Sequence, residues 1–471
     1  MSDGKVAPEF PLDGVHHSHR PTFLVLAVAV SSMAMLQSVV IPVLPALQRE
    51  LGTDSVGITW VLTSFLLSAS VCTPIIGRCG DLFGRKRVFV WCLVVLAIST
   101  VMAAFATTLA AMIVSRVLQG VAGGLLPAAF GIVRDVFPPA RVAGAIGSIA
   151  ALIAVGFGMG IVIAGPIEST FGVRWLFGLP CVVIALAAVC AAIVVAPDST
   201  RSSDARVNWP AAVVLAGWLL TLLVAISRAP TIGWVSWQFA GLVAMAILLF
   251  GLWLAVELRS AVPLIDVRIM REPTVWAGNL SSFLLGVGMF AAFTALPQFL
   301  QASQTDGFGF SASSTIAGLM IMPISAGMFV LGLFAGRLTR RFGARLLLIS
   351  GSLVASVGYL ALAAAHTAAG LIYVWCTIVG VGLGLAFSAV SNLVIAAVPP
   401  DQTGAVSGMN VNIRTVGGAV GAALMASLVT VGGDAPGAPS DVGYTLGFVM
   451  IGVAVALSAA AAAAAAAAPS A

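Results

Sequence analysis

Long apolar runs separated by short polar segments occupy almost the whole of the 471-residue chain. A helix of about 20 residues, rising 1.5 Å per residue, crosses the roughly 30 Å hydrocarbon core of a bilayer. Hydrophobic residues make up 60% of the chain, against about 45–50% in soluble domains. We therefore predict an all-α integral membrane protein with fourteen transmembrane spans. They cover approximately residues 22–43, 57–77, 88–108, 110–133, 143–166, 178–196, 209–227, 238–256, 275–299, 314–335, 346–364, 370–397, 404–430 and 443–463.

The basic residues are distributed unevenly between the two sets of loops. Of the 22 Lys and Arg residues, Arg49, Arg174 and Arg228 lie in the loops of one side. Arg116 and Arg414 lie within spans, and the others lie in the N-terminal tail and the loops of the opposite side. Because cytoplasmic loops carry the excess of Lys and Arg, we predict that both termini are cytoplasmic. The span pattern and the preference for Arg over Lys indicate a bacterial inner (plasma) membrane.

The charge and cysteine patterns exclude several classes of partner. The net charge of +5 does not indicate nucleic acid, because the basic residues lie in short loops between spans. We expect the bilayer and a small-molecule substrate as partners of a monomer. The six cysteines lie singly in apolar segments, so no metal site is predicted. No GxxxxGK[ST] sequence occurs, and we expect no cofactor and no enzymatic activity.

Two pairs of similar segments indicate an internal repeat. GRCGDLFGRKRV at 77–88 resembles GRLTRRFGARLL at 336–347, and FPPARVAGAIG from 137 resembles VPPDQTGAVSG from 398. These pairs align spans 1–6 with spans 9–14. The predicted organisation is an N-terminal tail (1–21), a six-helix half (22–196), two inserted spans (197–273), a second six-helix half (274–463) and a C-terminal tail (464–471). Two such halves around a midplane site are typical of an alternating-access transporter.

The segment 77–88 concentrates charge and glycine between two apolar runs. Gly77, Gly80 and Gly84 permit a tight loop with close helix approach, and Asp81 can pair with a basic side chain. The alternative is a positive-inside anchor, which explains the basic residues but not the aspartate. The segment resembles the signature loop of the major facilitator superfamily, which implies a gating role. The matching residues are Gly77, Asp81, Gly84, Arg85 and Lys86.

Span 4 carries an arginine within its apolar sequence. A charge at membrane depth is costly, so Arg116 is a functional candidate. Arg116, Gln119 and Gly120 resemble a second signature of the superfamily, whose arginine is implicated in proton coupling. The alternative is an arginine that extends its side chain to the membrane interface.

Span 5 is rich in glycine and resembles the antiporter signature of exporters. Glycine permits close helix packing and proline can bend a helix. The pattern departs from that signature at Ile161, where the family has proline, so helix packing without a role in export is the alternative. The residues concerned are Gly147, Gly156, Gly160, Gly165 and Pro166.

The inserted spans make the resemblance more specific. Together with segments such as VRWLFGLP at 173–180 and NIRTVGGAVG at 412–421, they resemble the fourteen-span drug:proton antiporters. This resemblance implies export of drug-like or natural-product molecules in exchange for protons. These exporters usually have an aspartate in span 1, where this chain has Gln37. The remaining acidic candidates for coupling are Asp81, Asp135 and Glu168. A facilitator or importer of a small metabolite, without proton antiport, is the alternative.

Polar and aromatic residues in spans 1, 2, 9 and 13 are the candidates for the substrate cavity. Apolar surface with a few hydrogen-bonding groups suits a permissive pocket. Because the membrane interior holds two arginines and no central carboxylate, we expect neutral or anionic substrates. The candidates are Gln37, Trp60, Phe65, Asn279, Phe290, Gln298, Asn410, Asn412 and Arg414.

Overall fold

A computed structural model describes most of the chain. The described residues are 19–53, 55–196, 208–260, 267–270, 272–304, 308–399, 403–433 and 439–467. Most of the predicted N-terminal tail and parts of the linkers around the inserted spans and of the C-terminal tail lie outside these ranges.

Fourteen helices of the described chain are long and apolar enough to cross a membrane, which confirms the predicted number and the all-α class. They are numbered here in chain order, so that helix and span numbers agree. The helices are α1 (His19–Ser38), α2 (Ser55–Phe83), α3 (Arg85–Ala104), α4 (Leu109–Val136), α5 (Pro139–Phe171), α6 (Trp175–Val194), α7 (Trp209–Ile232), α8 (Trp237–Arg259), α9 (Pro273–Gln301), α10 (Ser314–Phe342), α11 (Ala344–Ala364), α12 (Ala369–Ala396), α13 (Thr403–Leu428) and α14 (Asp441–Ala467).

Single glycines end α2 and α10 at equivalent positions of the repeat. Gly84 has φ +107° and Gly343 has φ +79°, a backbone conformation that glycine adopts without a steric penalty. Each residue reverses the chain directly into the next helix. Gly77 and Gly80 instead lie inside α2, which continues to Phe83. The sequence predicts that span 2 ends at Gly77 and that Gly80 lies in the loop. That boundary is wrong, because the helix extends beyond the apolar run.

Each half has its own apolar core, and the inserted helices lie outside both. Leu93, Phe130 and Phe177 belong to the core of the first half, whereas Phe299 and Phe387 belong to the core of the second. The inserted helix α7 packs on α2 and α13, through a cluster that includes Leu215 of α7 and Met409 of α13. Helix α8 contacts α7 and is the least buried of the spanning helices.

The halves meet where α5 of the first packs along α10 of the second. Small residues let the two backbones approach closely, which favours helix association in lipid. Gly144 and Gly336 face each other so closely that a Cβ added to Gly336 would overlap Gly144. Further along, Gly158 faces Ser325 and Gly318 faces Val162. The basic face is defined here as the end of the bundle that carries the α2–α3, α4–α5 and α10–α11 junctions.

Gly156→Ala should destabilise the folded protein, since its Cβ would overlap the backbone carbonyl of Ser31 in α1. Overpacking at such a contact costs about 1–3 kcal/mol. The matched control is Gly251→Ala in α8, where nothing lies within 4 Å of an added Cβ. Thermal unfolding of the detergent-purified proteins measures both. Equal unfolding midpoints for the two variants would contradict the close contact of α5 with α1.

Candidate functional site

The signature junction is a three-residue charge network at the basic face. Arg85, the first residue of α3, pairs with Asp81 of α2 at 3.0 Å and with Asp135 of α4 at 2.6 Å. The same guanidinium donates to the Gly131 carbonyl oxygen at 3.1 Å, and a side chain at Gly131 would collide with it. The side chain of Asp81 is 1% exposed, whereas that of Asp135 is 46% exposed. One cation therefore joins the ends of three helices, and Lys86 lies half-buried beside it.

Arg134 forms a second contact at this face, which joins the two halves. It lies in the last turn of α4 and donates to the backbone carbonyls of Ile395 (3.2 Å) and Val398 (2.9 Å) at the end of α12. It also donates to the hydroxyl of Thr403, where α13 begins. A guanidinium suits the end of α12, since the last carbonyls of a helix lack partners within it and carry partial negative charge.

Other side chains donate to backbone carbonyls across the same boundary between the halves. The contacts are Arg340 to Ala140 (2.9 Å), Ser148 to Gly332 (3.0 Å), Ser388 to Gly147 (3.1 Å) and Asn392 to Ala143 (3.0 Å). The α5 residue of each of these contacts lies in the first third of that helix. In the repeat, Arg340 occupies the position that corresponds to Asp81. The basic face is thus closed by polar contacts between the halves.

Arg116 is fully buried between α2, α3 and α4. Its Nε donates to the Val61 carbonyl oxygen at 3.0 Å, and its Nη1 donates to Oε1 of Gln119 at 2.7 Å. The guanidinium lies 4.8 Å from the centroid of the Phe65 ring, and Nη2 has no hydrogen-bond partner among the described residues. With an exposure of 0%, the side chain does not reach the membrane interface, so the alternative of an interfacial arginine is wrong.

The residues after Arg116 fix α4 against α2. The chain forms a 3₁₀ segment at Gly120–Gly124 within the span. Side chains at Gly120, Gly123 and Gly124 would overlap Ser68, Thr73 and Ile76 of α2, respectively. Only glycine fits at these three contacts, and Arg116 is thereby held at a fixed depth beside α2.

The glycines of α5 lie at helix contacts on two sides. Gly156 and Gly160 face α1, where side chains would overlap Ser31 and Ser38, respectively. Gly147 faces Ala335 and Ser388 of the other half. The remaining residues of interest lie at the far end of α5, which continues through them to Phe171: Gly165, Pro166 and the half-buried Glu168.

The predicted cavity residues separate into several groups. Asn410 donates to Asn279 at 2.8 Å and accepts from Ser282 at 3.1 Å, so both asparagines are helix contacts between α9 and α13. Phe290 instead meets Phe157 across the halves, with ring centroids 6.0 Å apart. The other members have different exposures: Gln37 and Trp60 are half-buried and Gln298 is exposed.

Arg414 and Asn412 are buried polar groups of α13 with unused hydrogen-bonding capacity. The Arg414 guanidinium lies 5.4 Å from the centroid of the Phe387 ring and makes no hydrogen bond or ion pair with a described residue. Arg414 retains 7% exposure and Asn412 retains 1%. Both amide atoms of Asn412 lack a partner among those residues. Such groups are costly in a dry interior and are suited to contact a polar ligand.

A His–Asp pair at the opposite face was not predicted from the sequence. Nε2 of His366 lies 2.9 Å from Asp441 and Nδ1 lies 2.8 Å from the Leu362 carbonyl oxygen. Both partners accept hydrogen bonds, a geometry that the doubly protonated ring satisfies. The two residues are 75 positions apart, and only the helix packing brings them together. Among the described residues, no cluster of three or more His, Cys, Asp or Glu could hold a metal ion.

Comparison with known proteins gives consistent matches over nearly the whole chain. The family profile of the Major Facilitator Superfamily matches residues 26–422 and 278–470. The tetracenomycin C resistance and export protein of Streptomyces glaucescens is 26% identical over 89% of this chain and 77% of its own length. The multidrug transporter protein MdtP of Bacillus subtilis is 27% identical over 86% and 74%, respectively. The human organic anion transporter MFSD10 (TETRAN) has the same fold, with a TM-score of 0.67, 16% identity and coverage of 94% and 99%.

Arg134→Gln should shift the protein toward conformations in which the basic face is open. The variant loses charge-assisted hydrogen bonds, which contribute about 1.5–3 kcal/mol each when buried and less at this half-buried site. We expect at least a severalfold change in the open population, measured by electron-resonance distances between spin labels on α4 and α12. Arg345→Gln, on the same face but without a recorded contact to the first half, is the matched control. Identical distance distributions in both variants would exclude Arg134 as a contact that closes this face.

Proposed function

The chain belongs to the Major Facilitator Superfamily, and we propose that it exports drug-like or natural-product small molecules by alternating access, in exchange for protons. It is a multi-pass membrane transporter and not an enzyme. The observation that best supports the proposal is the boundary between the halves. Polar contacts close it at the basic face, while Arg116 and Arg414 keep donor groups inside the bundle that have no partner among the described residues. Alternating access requires a face that can close and an interior site that can hold a polar substrate, and these two features supply them.

The relatives and the loop charges support the proposed direction of transport. One relative is named an export protein and another a multidrug transporter. By the positive-inside rule we place the basic face in the cytoplasm. The conformation seen here is then closed to the cytoplasm, which is the state from which an exporter releases its substrate outward.

Proton coupling must use groups other than the residue in span 1. The side-chain amide of Gln37 cannot titrate, and it makes no hydrogen bond to a described residue. Asp81 and Asp135 share Arg85, so a change in the junction would change the environment of both carboxyl groups. Glu168 lies at the other end of the bundle. The glutamine at position 37 also favours the second candidate function, a facilitator or importer of a small metabolite.

The charges of the interior favour neutral or anionic substrates. Arg116 and Arg414 form no ion pair with a described residue, and each guanidinium lies against an aromatic ring, Phe65 or Phe387. A cationic substrate would be repelled by these groups, whereas an anion can supply the missing acceptor. The structural neighbour that is named an organic anion transporter is consistent with this choice.

Export of fluorescent compounds tests direction and coupling together. Transporter-deficient bacteria that express the protein should export an anionic dye better than a matched cationic dye, and a protonophore should abolish the export. Flux that only equilibrates the dye, with no effect of the protonophore, would favour the facilitator instead. Gln37→Asp is the informative variant, because stronger proton dependence would identify position 37 as a coupling site.

Arg414→Gln should reduce transport of the anionic dye at least tenfold, since a charge-assisted contact is worth about 1.5–3 kcal/mol. Arg414→Lys should retain part of the activity because it keeps the charge. The matched control is Arg259→Gln, an exposed arginine at the end of α8. The measurement is initial efflux rate at equal expression. Equal losses for anionic and neutral dyes in Arg414→Gln would contradict a role for this charge in substrate recognition.

A further inference from the structure

A crevice of about 540 Å³ opens at the basic face between α1, α5 and α10. It lies over the junction where Gly144 and Gly336 bring the two halves together, and both glycines contribute to its wall. It is separate from Arg116 and Arg414, which lie inside the bundle. Of the side chains that close the basic face, Ser148 and Arg340 also line this crevice.

Arginines dominate the polar lining of the crevice. Arg20, Arg141, Arg337 and Arg340 line it, and none of its described lining residues is acidic. None of these four guanidinium groups forms an ion pair with a described carboxylate. Arginine remains charged at physiological pH and binds phosphate through several hydrogen bonds. The site therefore holds four positive charges with no counter-charge among the residues that the structure describes.

One further polar atom beside the crevice has no partner among the described residues. Nδ1 of His19 is buried and makes no hydrogen bond to a described residue, while its ring packs on Phe137 with centroids 5.4 Å apart. Both residues line the crevice.

The apolar part of the lining distinguishes a lipid from a soluble anion. Leu24 of α1 is 64% exposed and Leu333 of α10 is 51% exposed, and both line the crevice. They lie less than one and a half turns from Arg20 and Arg337 along their helices, on the side of the bilayer interior. One phospholipid can contact the arginines through its phosphate and these leucines through its acyl chains, whereas a free phosphate can contact only the arginines.

We propose that the crevice binds the headgroup phosphate of an anionic phospholipid from the leaflet at the basic face. Basic pockets between transmembrane helices suit such headgroups, and each arginine near the lipid surface contributes about a fivefold gain in affinity. Because the arginines come from both halves, the bound lipid links α1 and α5 to α10. It thereby stabilises the conformation in which the basic face is closed.

The test compares lipid binding by the full chain and two matched double variants. Arg141→Gln with Arg337→Gln removes two crevice charges that make no recorded hydrogen bond to the other half. Arg259→Gln with Arg341→Gln removes the same charge from the same face outside the crevice. Native mass spectrometry of the purified proteins measures affinity for phosphatidylglycerol and for phosphatidylcholine with the same acyl chains.

We expect the wild-type protein to prefer phosphatidylglycerol, the crevice variant to bind it about thirtyfold more weakly, and the control to change by less than threefold. Inorganic phosphate at millimolar concentration should not displace the lipid. Equal affinities of the two variants would overturn the proposal and leave the arginines as topological anchors. Displacement by inorganic phosphate would overturn it in favour of a soluble-anion site. No outcome depends on transport activity.

Discussion

Close backbone contact between α5 and its neighbours is the constraint on which the rest of the structure depends. In lipid, helices gain little from burying apolar side chains, so they associate through tight packing and hydrogen bonds. Glycines let α5 approach α1 within its own half and α10 in the other half. At that short separation, hydroxyl and amide side chains such as Ser148 and Asn392 reach backbone carbonyls across the boundary. The polar contacts that close the basic face therefore depend on the close packing of α5.

Four arginines of the bundle have different kinds of partner. The difference separates arginines that hold helices together from arginines that are suited to bind a solute. Arg85 has two carboxylates and a carbonyl within reach, so it can hold helix ends together without a ligand. Arg134 donates to carbonyls of the other half, and these bonds exist only while the halves meet. Arg116 and Arg414 both lie against aromatic rings, which contribute roughly 0.5–2 kcal/mol to a cation. Arg116 also donates to the Val61 carbonyl and to Gln119. The first two are suited to structural contacts that form and break, and the last two to interaction with a solute.

The sequence predicted the number of helices and their class because length and hydropathy alone determine a membrane span. It also predicted the signature residues, and the structure brings Asp81, Arg85 and Asp135 together. It placed the end of span 2 too early, before Gly80, because a helix can continue beyond the membrane core after its sequence is no longer apolar. Arg134 and the pair of His366 with Asp441 were missed, since their partners are distant in sequence or are backbone atoms. The run of Gly120, Gly123 and Gly124 was the available signal for the contact between α4 and α2.

The acceptors that Arg134 reaches at the end of α12 are backbone carbonyls, which do not depend on the side chains at those positions. Substitutions at Ile395 or Val398 leave the carbonyl oxygens in place, so these two hydrogen bonds persist while the side chains there change during evolution. The bond to Thr403 differs, because it needs a hydroxyl side chain in the second half. Correlated substitution between paired positions, which reveals many contacts in proteins, would register the bond to Thr403 but not the two bonds to carbonyls.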